Sequence, residues 1–322
     1  MNRILVIGAA GMVGRKLLRK LAQDGSLGAS RITHATLHDV VTPQPPPGAP
    51  FQVRSVASDL SLEGEADKLV AERPGVIFHL AAIVSGEAEA DFEKGYRVNL
   101  DGTRQLFEAI RKVGAGYQPR VVFTSSIAVF GAPFPEAIGD EFLSAPLTSY
   151  GTQKAMAELL LSDYTRRGFF DGIGIRLPTV CVRPGKPNRA ASGFFSGIIR
   201  EPLNGQQAVL PVSEDVRHWH ASPRAAVGFL LHAAALSGER LGPRRNLTMP
   251  GLSVTIAEQI AALRRVAGDA SARLIRREPD PAIMRIVKGW PQNFNAQRAR
   301  ELGFRADASF DEIIKIYIEE EL

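Results

Sequence analysis

Tyr150 and Lys154 stand four residues apart in Tyr150-Gly-Thr-Gln-Lys154. On a helix that spacing puts both side chains on one face. A phenol with its ordinary pKa near ~10 is a poor base at neutral pH. An ammonium held beside it favours the phenolate and brings the group toward a range useful for proton transfer. Ser126, closing Thr124-Ser125-Ser126, adds a hydroxyl that can hold a reacting alcohol or carbonyl oxygen. Alone, a Tyr and a Lys at this spacing also describe an ordinary amphipathic helix face, so the surrounding pattern decides.

That pattern begins with Gly8-Ala-Ala-Gly11-Met12-Val-Gly14, which follows an apolar run and opens a helical one. Gly8 permits a tight turn, Gly11 lets a pyrophosphate approach the backbone, and Gly14 lets helix and strand pack closely. The helix start offers unpaired amides and partial positive charge to phosphates. Asp39 follows twenty-five residues after Gly14. A carboxylate there accepts hydrogen bonds from ribose hydroxyls and repels a 2′-phosphate, favouring NAD over NADP. His38 and Arg15 nearby leave NADP open, and Asp39 also suits a solvated turn. Asp59 and Leu60 can bracket an adenine, although Ser58-Asp59 reads equally as a helix cap. Ala81, in His79-Leu-Ala-Ala82, is small where backbone must pass close to a cofactor. Lys154 can then also reach the nicotinamide ribose.

The elements needed to position these groups alternate strictly. Strands are predicted at residues 3–8, 32–38, 51–57, 76–80, 120–124 and 172–176, and helices at 12–23, 62–72, 92–113 and 149–167. A loop rich in proline (Pro43, Pro45, Pro46, Pro47, Pro50) interrupts them. Strands separated by helices call for a parallel sheet covered on both faces. The expected fold is therefore α/β, a Rossmann-type doubly wound parallel sheet over residues 1–178. A smaller, mixed substrate lobe covers 179–322 and can return a strand or helix to the first domain. It carries helices near 223–236, 256–266 and 310–320.

Bulk properties narrow the partners. The chain has 322 residues, 45% hydrophobic and 23% charged, with a formal net charge of +5. Basic residues are scattered, with only short groups such as Arg244-Arg245 and Arg276-Arg277. No nucleic-acid partner is expected, and the surplus suits a small anionic substrate. The single cysteine, Cys181, excludes an internal disulfide. No metal site is expected, since His218 and His220 lack a complementary ligand set. The apolar start passes through Gly8 and Gly11 into a basic helix rather than a cleavage site, and no stretch reaches membrane-spanning length, so a cytoplasmic protein with no membrane partner is expected.

Taken together, Gly8, Gly11, Gly14, Asp59, His79 to Ala82, Asn99 in Val98-Asn-Leu-Asp-Gly102, Thr124 to Ser126, Tyr150 and Lys154 resemble the extended short-chain dehydrogenase/reductase family over the first 180 or so residues. The resemblance implies an NAD-dependent oxidoreductase acting on a CH–OH group, with Tyr150, Lys154 and Ser126 as catalytic residues. It implies a cofactor site of Gly8, Gly11, Met12, Gly14, Asp39, Asp59, Leu60, Ala81, Asn99, Tyr150, Lys154 and Pro178, and admits a homodimer.

The substrate is read from the second half. Enzymes of this family that bind nucleotide sugars carry an acidic residue after an arginine where this chain has Arg217-His218, and its dehydratases carry an acidic pair where this chain has Ser125-Ser126. Residues 85–90, 176–185 and 217–220 instead resemble a branch that oxidises sugar acids. That likeness implies oxidation of the C2 hydroxyl of D-erythronate to the 2-oxo acid. Ser126 and Tyr150 would contact the reacting oxygen, Arg183 or Arg217 the carboxylate in bidentate fashion, and His218 the polyol. Arg183 also fits a surface arginine lying over apolar neighbours, and Trp219 a lobe-core anchor. A nucleotide-sugar 4-epimerase with tightly held NAD, or an inactive NAD(P)-sensing regulator, are the alternatives.

Overall fold

A computed structural model describes residues 3–185 and 191–322. Strand β1 (Arg3–Ile7) is buried from Ile4 to Ile7, as its unbroken apolar run requires of a central parallel strand. Around it lie β2 (His34–Asp39), β3 (Gln52–Ala57), β4 (Val76–His79), β5 (Arg120–Ser126), β6 (Asp171–Leu177) and β7 (Asn246–Thr248). All pair in parallel in the order β7-β6-β5-β4-β1-β2-β3. The strand order reverses beside β1, so the ends of β1 and β4 open a crevice where open α/β sheets bind ligands.

Helix α1 (Met12–Asp24) turns Leu17, Leu18 and Leu21 onto one sheet face. Helix α2 (Glu65–Val70), helix α3 (Gly102–Val113) and helix α4 (Ser149–Arg166) cover the other with Leu69, Leu106, Ile110 and Leu161. In place of one helix over 92–113, a wider π turn at Arg97–Asp101 separates Phe92–Tyr96 from α3. The turn carries Asn99, whose amide is buried and bonded to other segments.

After Leu177 the chain builds a three-stranded sheet from Thr179–Val180, Arg217–Ala221 and Leu252–Thr255. Helix α5 (Gly193–Leu203), which its glycines and Pro202 hid from periodicity, buries Phe195, Ile198 and Ile199. Helix α6 (Pro223–Ala235) and β7 return to the large sheet, with Phe229, Leu230 and Leu247 in the core shared with α1. Helix α7 (Ile256–Ala272) and helix α8 (Phe310–Glu321) close the lobe's own core through Ile260, Leu263, Ile313 and Ile314.

The last turn of α8 carries Glu319, Glu320 and Glu321, the wrong sign for a helix C-terminus. Lys16 of α1 offsets this with Nζ 2.7 Å from Glu320 Oε2 and in contact with Glu321. Arg224 of α6 reaches Glu319 at 2.7 Å and Glu320 at 2.8 Å. The helix that starts at the glycine loop is thereby tied to the far end of the chain. Lys16→Ala is expected to lower stability to urea by about 1 kcal/mol at low ionic strength. The deficit should shrink in about 1 M salt, and equal deficits in both conditions would remove the electrostatic explanation.

Candidate active site

The glycine loop is shaped by close backbone approach. Gly8 has φ of +89°, and a Cβ there would lie 2.6 Å from the Ala81 backbone nitrogen. A Cβ on Gly14 would lie 2.3 Å from the Gly8 carbonyl oxygen. The Gly8 and Ala9 amides donate to the His38 carbonyl at 2.8 and 3.0 Å. Asp39 holds the loop from the side, accepting from Ala10 N at 2.9 Å and from Val40 N at 2.8 Å. No side chain caps the start of α1 at Gly11, so its first-turn amides face a cleft lined by Gly8, Gly11, Met12 and Gly14. These features fit a dinucleotide: a cradle that side chains would fill, an uncapped helix start for the pyrophosphate, and a carboxylate at the end of β2.

The cleft has a volume of about 420 Å³ and runs from this loop past Ala82, Ser126, Tyr150, Lys154 and Pro178 to Thr179, Arg183, His218 and Trp290. Five expected cofactor residues support it without lining it. Ala81 packs against Gly8, and Asp39 bonds the loop as described. Asn99 accepts from Ile83 N at 2.9 Å and donates to Gln153 Oε1 at 2.8 Å. It thus fastens the segment after β4 to α4. Asp59 accepts from the Ser61 amide at 2.9 Å and pairs with Arg97 at 2.6 Å, while Leu60 is core.

Tyr150 and Lys154 lie in the first turns of α4, whose start is set by Thr148 Oγ1 accepting from Gly151 N at 3.1 Å. Both line the cleft with Ser126, at the end of β5. Lys154 is 2% exposed. Its Nζ donates to the Thr124 carbonyl at 2.8 Å and sits 5.8 Å from the Tyr150 ring centre. Burial pushes the Lys154 ammonium down to about 7, against the pull of Glu158. Burial pushes the Tyr150 phenol up, opposed by a hydrogen bond with Ser126 and by the Arg183 guanidinium. Arg183 thus favours the ionised phenol, and Lys154 is bonded to a backbone carbonyl beside the Tyr150 ring.

Glu158, one turn beyond Lys154, is buried. It accepts from Ser125 Oγ at 2.5 Å, from Arg176 Nε at 2.9 Å and from Arg176 Nη2 at 2.7 Å. One carboxylate thus joins α4, β5 and β6 beneath the cleft floor.

At the other end, Arg183 donates from Nε to the Val180 carbonyl at 3.0 Å and from Nη2 to Ser192 Oγ at 3.3 Å. Arg200 is a second guanidinium in the cleft wall, 2.8 Å from the Arg183 carbonyl. Its signal was present in the chain: Ser192, Ser196 and Arg200 recur every four residues, and all three line the cleft. Arg217, expected at the carboxylate, lies outside it. Its strand pairs with Leu252–Thr255 and directs the guanidinium to the Ser253 carbonyl at 2.8 Å and to Glu258 at 3.4 Å. His218 does line the cleft, 2.7 Å from Thr179 Oγ1, with burial pushing its pKa down to about 3. Trp219 is a core anchor, 3% exposed, its Nε1 donating to the Met249 carbonyl. Among the described residues no cluster of three or more His, Cys, Asp or Glu could hold a metal, and no helix is long and apolar enough to cross a membrane.

A dinucleotide cradle feeding a Tyr-Lys-Ser cleft on a parallel sheet is the architecture of a known class, and the pattern of the NAD dependent epimerase/dehydratase family matches residues 4–235. The chain belongs to that family. More particularly, it is 51% identical over 321 residues to a D-erythronate dehydrogenase of Cupriavidus necator, covering 98% of each chain. It is 42% identical to a D-erythronate dehydrogenase of Haemophilus influenzae, covering 98% of this chain and 99% of the relative. A crystal structure described as the nucleoside-diphosphate-sugar epimerase from Agrobacterium tumefaciens superposes with a TM-score of 0.97 at 67% identity, covering 99% of this chain and 94% of that one.

Two outcomes follow from the buried charges. Glu158→Gln leaves the Arg176 guanidinium without its counter-charge and is expected to cost about 3 kcal/mol in urea unfolding. Glu158→Gln combined with Arg176→Met should recover most of that loss, and a double variant as unstable as the single one would contradict the pairing. For Lys154, the folded pKa is about 7 against an ordinary 10.5. Between these values the unfolded chain binds more protons, so stability rises with pH across that window. Below it both states are charged and the burial cost is fully present. The stability difference between wild type and Lys154→Met should therefore move in favour of wild type from pH 7 toward pH 10. A flat difference would refute the shift.

Proposed function

We propose that this protein is an NAD-dependent dehydrogenase that oxidises the C2 hydroxyl of D-erythronate to 2-dehydro-D-erythronate. One observation carries the reading to an acid: the Arg183 guanidinium lines the same cleft as Tyr150 and Ser126, and its charge favours the ionised phenol. A C2 hydroxyl lies beside a carboxylate, so a substrate of this kind needs a cation next to its base. The two D-erythronate dehydrogenases, alike over almost the whole chain, support the same substrate.

In this mechanism Arg183 binds the carboxylate, with Arg200 in the same stretch of wall and His218 facing the polyol carbons. Ser126 holds the C2 oxygen against Tyr150, and Tyr150 as phenolate takes its proton. Lys154, one turn along α4, supports the phenolate. NAD, when bound, would accept the hydrogen and electron pair leaving C2. Gly8, Gly11, Met12 and Gly14 would hold its pyrophosphate, Asp39 its adenosine end, and Lys154 and Pro178 its nicotinamide end. The substrate end is formed largely by residues beyond 178, which makes 179–322 mainly the substrate-binding part.

The test is net reduction of free NAD+ by D-erythronate, followed by absorbance. Tyr150→Phe should lower kcat/KM about a thousandfold while leaving NAD binding intact. Conversion of a nucleotide sugar without net NADH, in place of aldonate turnover, would establish the 4-epimerase reading that the Agrobacterium structure's description favours.

A further inference from the structure

Among the described residues, the lining of the cleft near Arg183 includes a stack of rings. His218, 3% exposed, stacks face to face on Phe195, their centres 5.0 Å apart and planes within 4°. The Trp290 ring lies 5.3 Å from His218 and 6.4 Å from Phe195. His220, fully buried, meets Phe195 edge-on at 4.7 Å. These groups come from separate elements: Phe195 from α5, the histidines from strand Arg217–Ala221, and Trp290 from the segment after Pro281–Val287. His218 and Trp290 line the cleft, with Phe195 packed behind. A wall braced from three sides in a close-packed core does not yield easily to a larger substrate.

Among the described residues, three hydroxyls at this wall are already engaged. Thr179 Oγ1 is bonded to His218, Ser192 Oγ to the Arg183 guanidinium, and Ser196 Oγ to the Arg183 amide at 3.0 Å. An acid held at Arg183 with C2 at Tyr150 has its remaining carbons in the space these rings bound. An added CH–OH would meet ring surface there, and its hydroxyl would be desolvated against it.

We propose that the Phe195–His218–Trp290 stack is the chain-length stop of the cleft, with Trp290 as the specificity-determining side chain that admits four-carbon aldonates and excludes five- and six-carbon ones. The inference rests on the dehydrogenase reading above. Trp290 is the part of the stack that can be changed with least disturbance, since it is only half-buried whereas Phe195 and His218 lie in the interior.

The experiment measures kcat/KM for NAD reduction with D-erythronate and with five- and six-carbon aldonates of the same C2 configuration. Wild type, Trp290→Ala, Trp290→Leu and Trp290→Phe are compared. Leu keeps apolar contact with the lobe core should Ala impair folding, which a thermal melt reports. In Trp290→Ala or Trp290→Leu the ratio of six-carbon to four-carbon kcat/KM is expected to rise about tenfold or more, mostly through KM. Trp290→Phe should stay within about threefold of wild type. A ratio unmoved in both shortened variants, with D-erythronate still oxidised, overturns the wall and leaves the function standing. A wild-type protein that oxidises no aldonate overturns both.

Discussion

Burial of a lysine beside a phenol is the constraint around which the rest of this structure is arranged. Neither group is comfortable away from water: burial drives the ammonium toward neutrality and the phenol away from ionising. The protein answers with fixed dipoles and charges in place of solvent. The Thr124 carbonyl accepts from Lys154, Ser126 bonds to the phenol, and Glu158 supplies negative charge one turn away. Glu158 could not stand alone in the interior either, and Arg176 and Ser125 complete it. The chemistry of the cleft thus reaches down through α4 to β5 and β6.

The same sheet determines what the groups face. The reversal of strand order beside β1 opens the crevice, and the glycine loop brings the start of α1 against it. The segment after β4 forms the opposing lip, held by Asn99 and Gln153 and, further along, by Glu89 accepting from Ser149 N at 2.9 Å. Residues beyond 178 then fold back twice, as α6 and β7, so that the lobe carrying Arg183 and His218 is anchored on the sheet whose other face α4, with Tyr150, covers. Arg183 and Tyr150 line one cleft between them.

What could be read from the chain alone divides along this line. Gly8, Gly11, Gly14, Tyr150, Lys154 and Ser126 are brought to the cleft by local geometry, a turn or one helix face, and that placement was legible from spacing. The alternating elements were legible for the same reason, apart from α5 and the π turn, where glycines, Pro202 and a buried Asn99 mask the period. Arg217 was expected at the carboxylate and Arg200 was not singled out, because the aim of a guanidinium is a tertiary property. One lies on a strand whose antiparallel partner turns it toward Glu258, the other on a helix face that looks into the cleft. Asn99 shows a different limit: its position was visible, but its partners come from two other segments.

Arg183 also makes the site depend on the charge of what enters it. In the free cleft its guanidinium favours ionised Tyr150. A carboxylate bound to it cancels much of that field just when the phenolate is needed. The phenolate must then be sustained by Ser126 and by Lys154, 5.8 Å from the ring. A neutral substrate would leave Arg183 acting on the phenol and ask less of the lysine. With an acidic substrate of the proposed kind, Glu158, which favours the charged form of Lys154, would be the group that keeps that positive charge in reserve, a use for so costly an ion pair beneath the cleft.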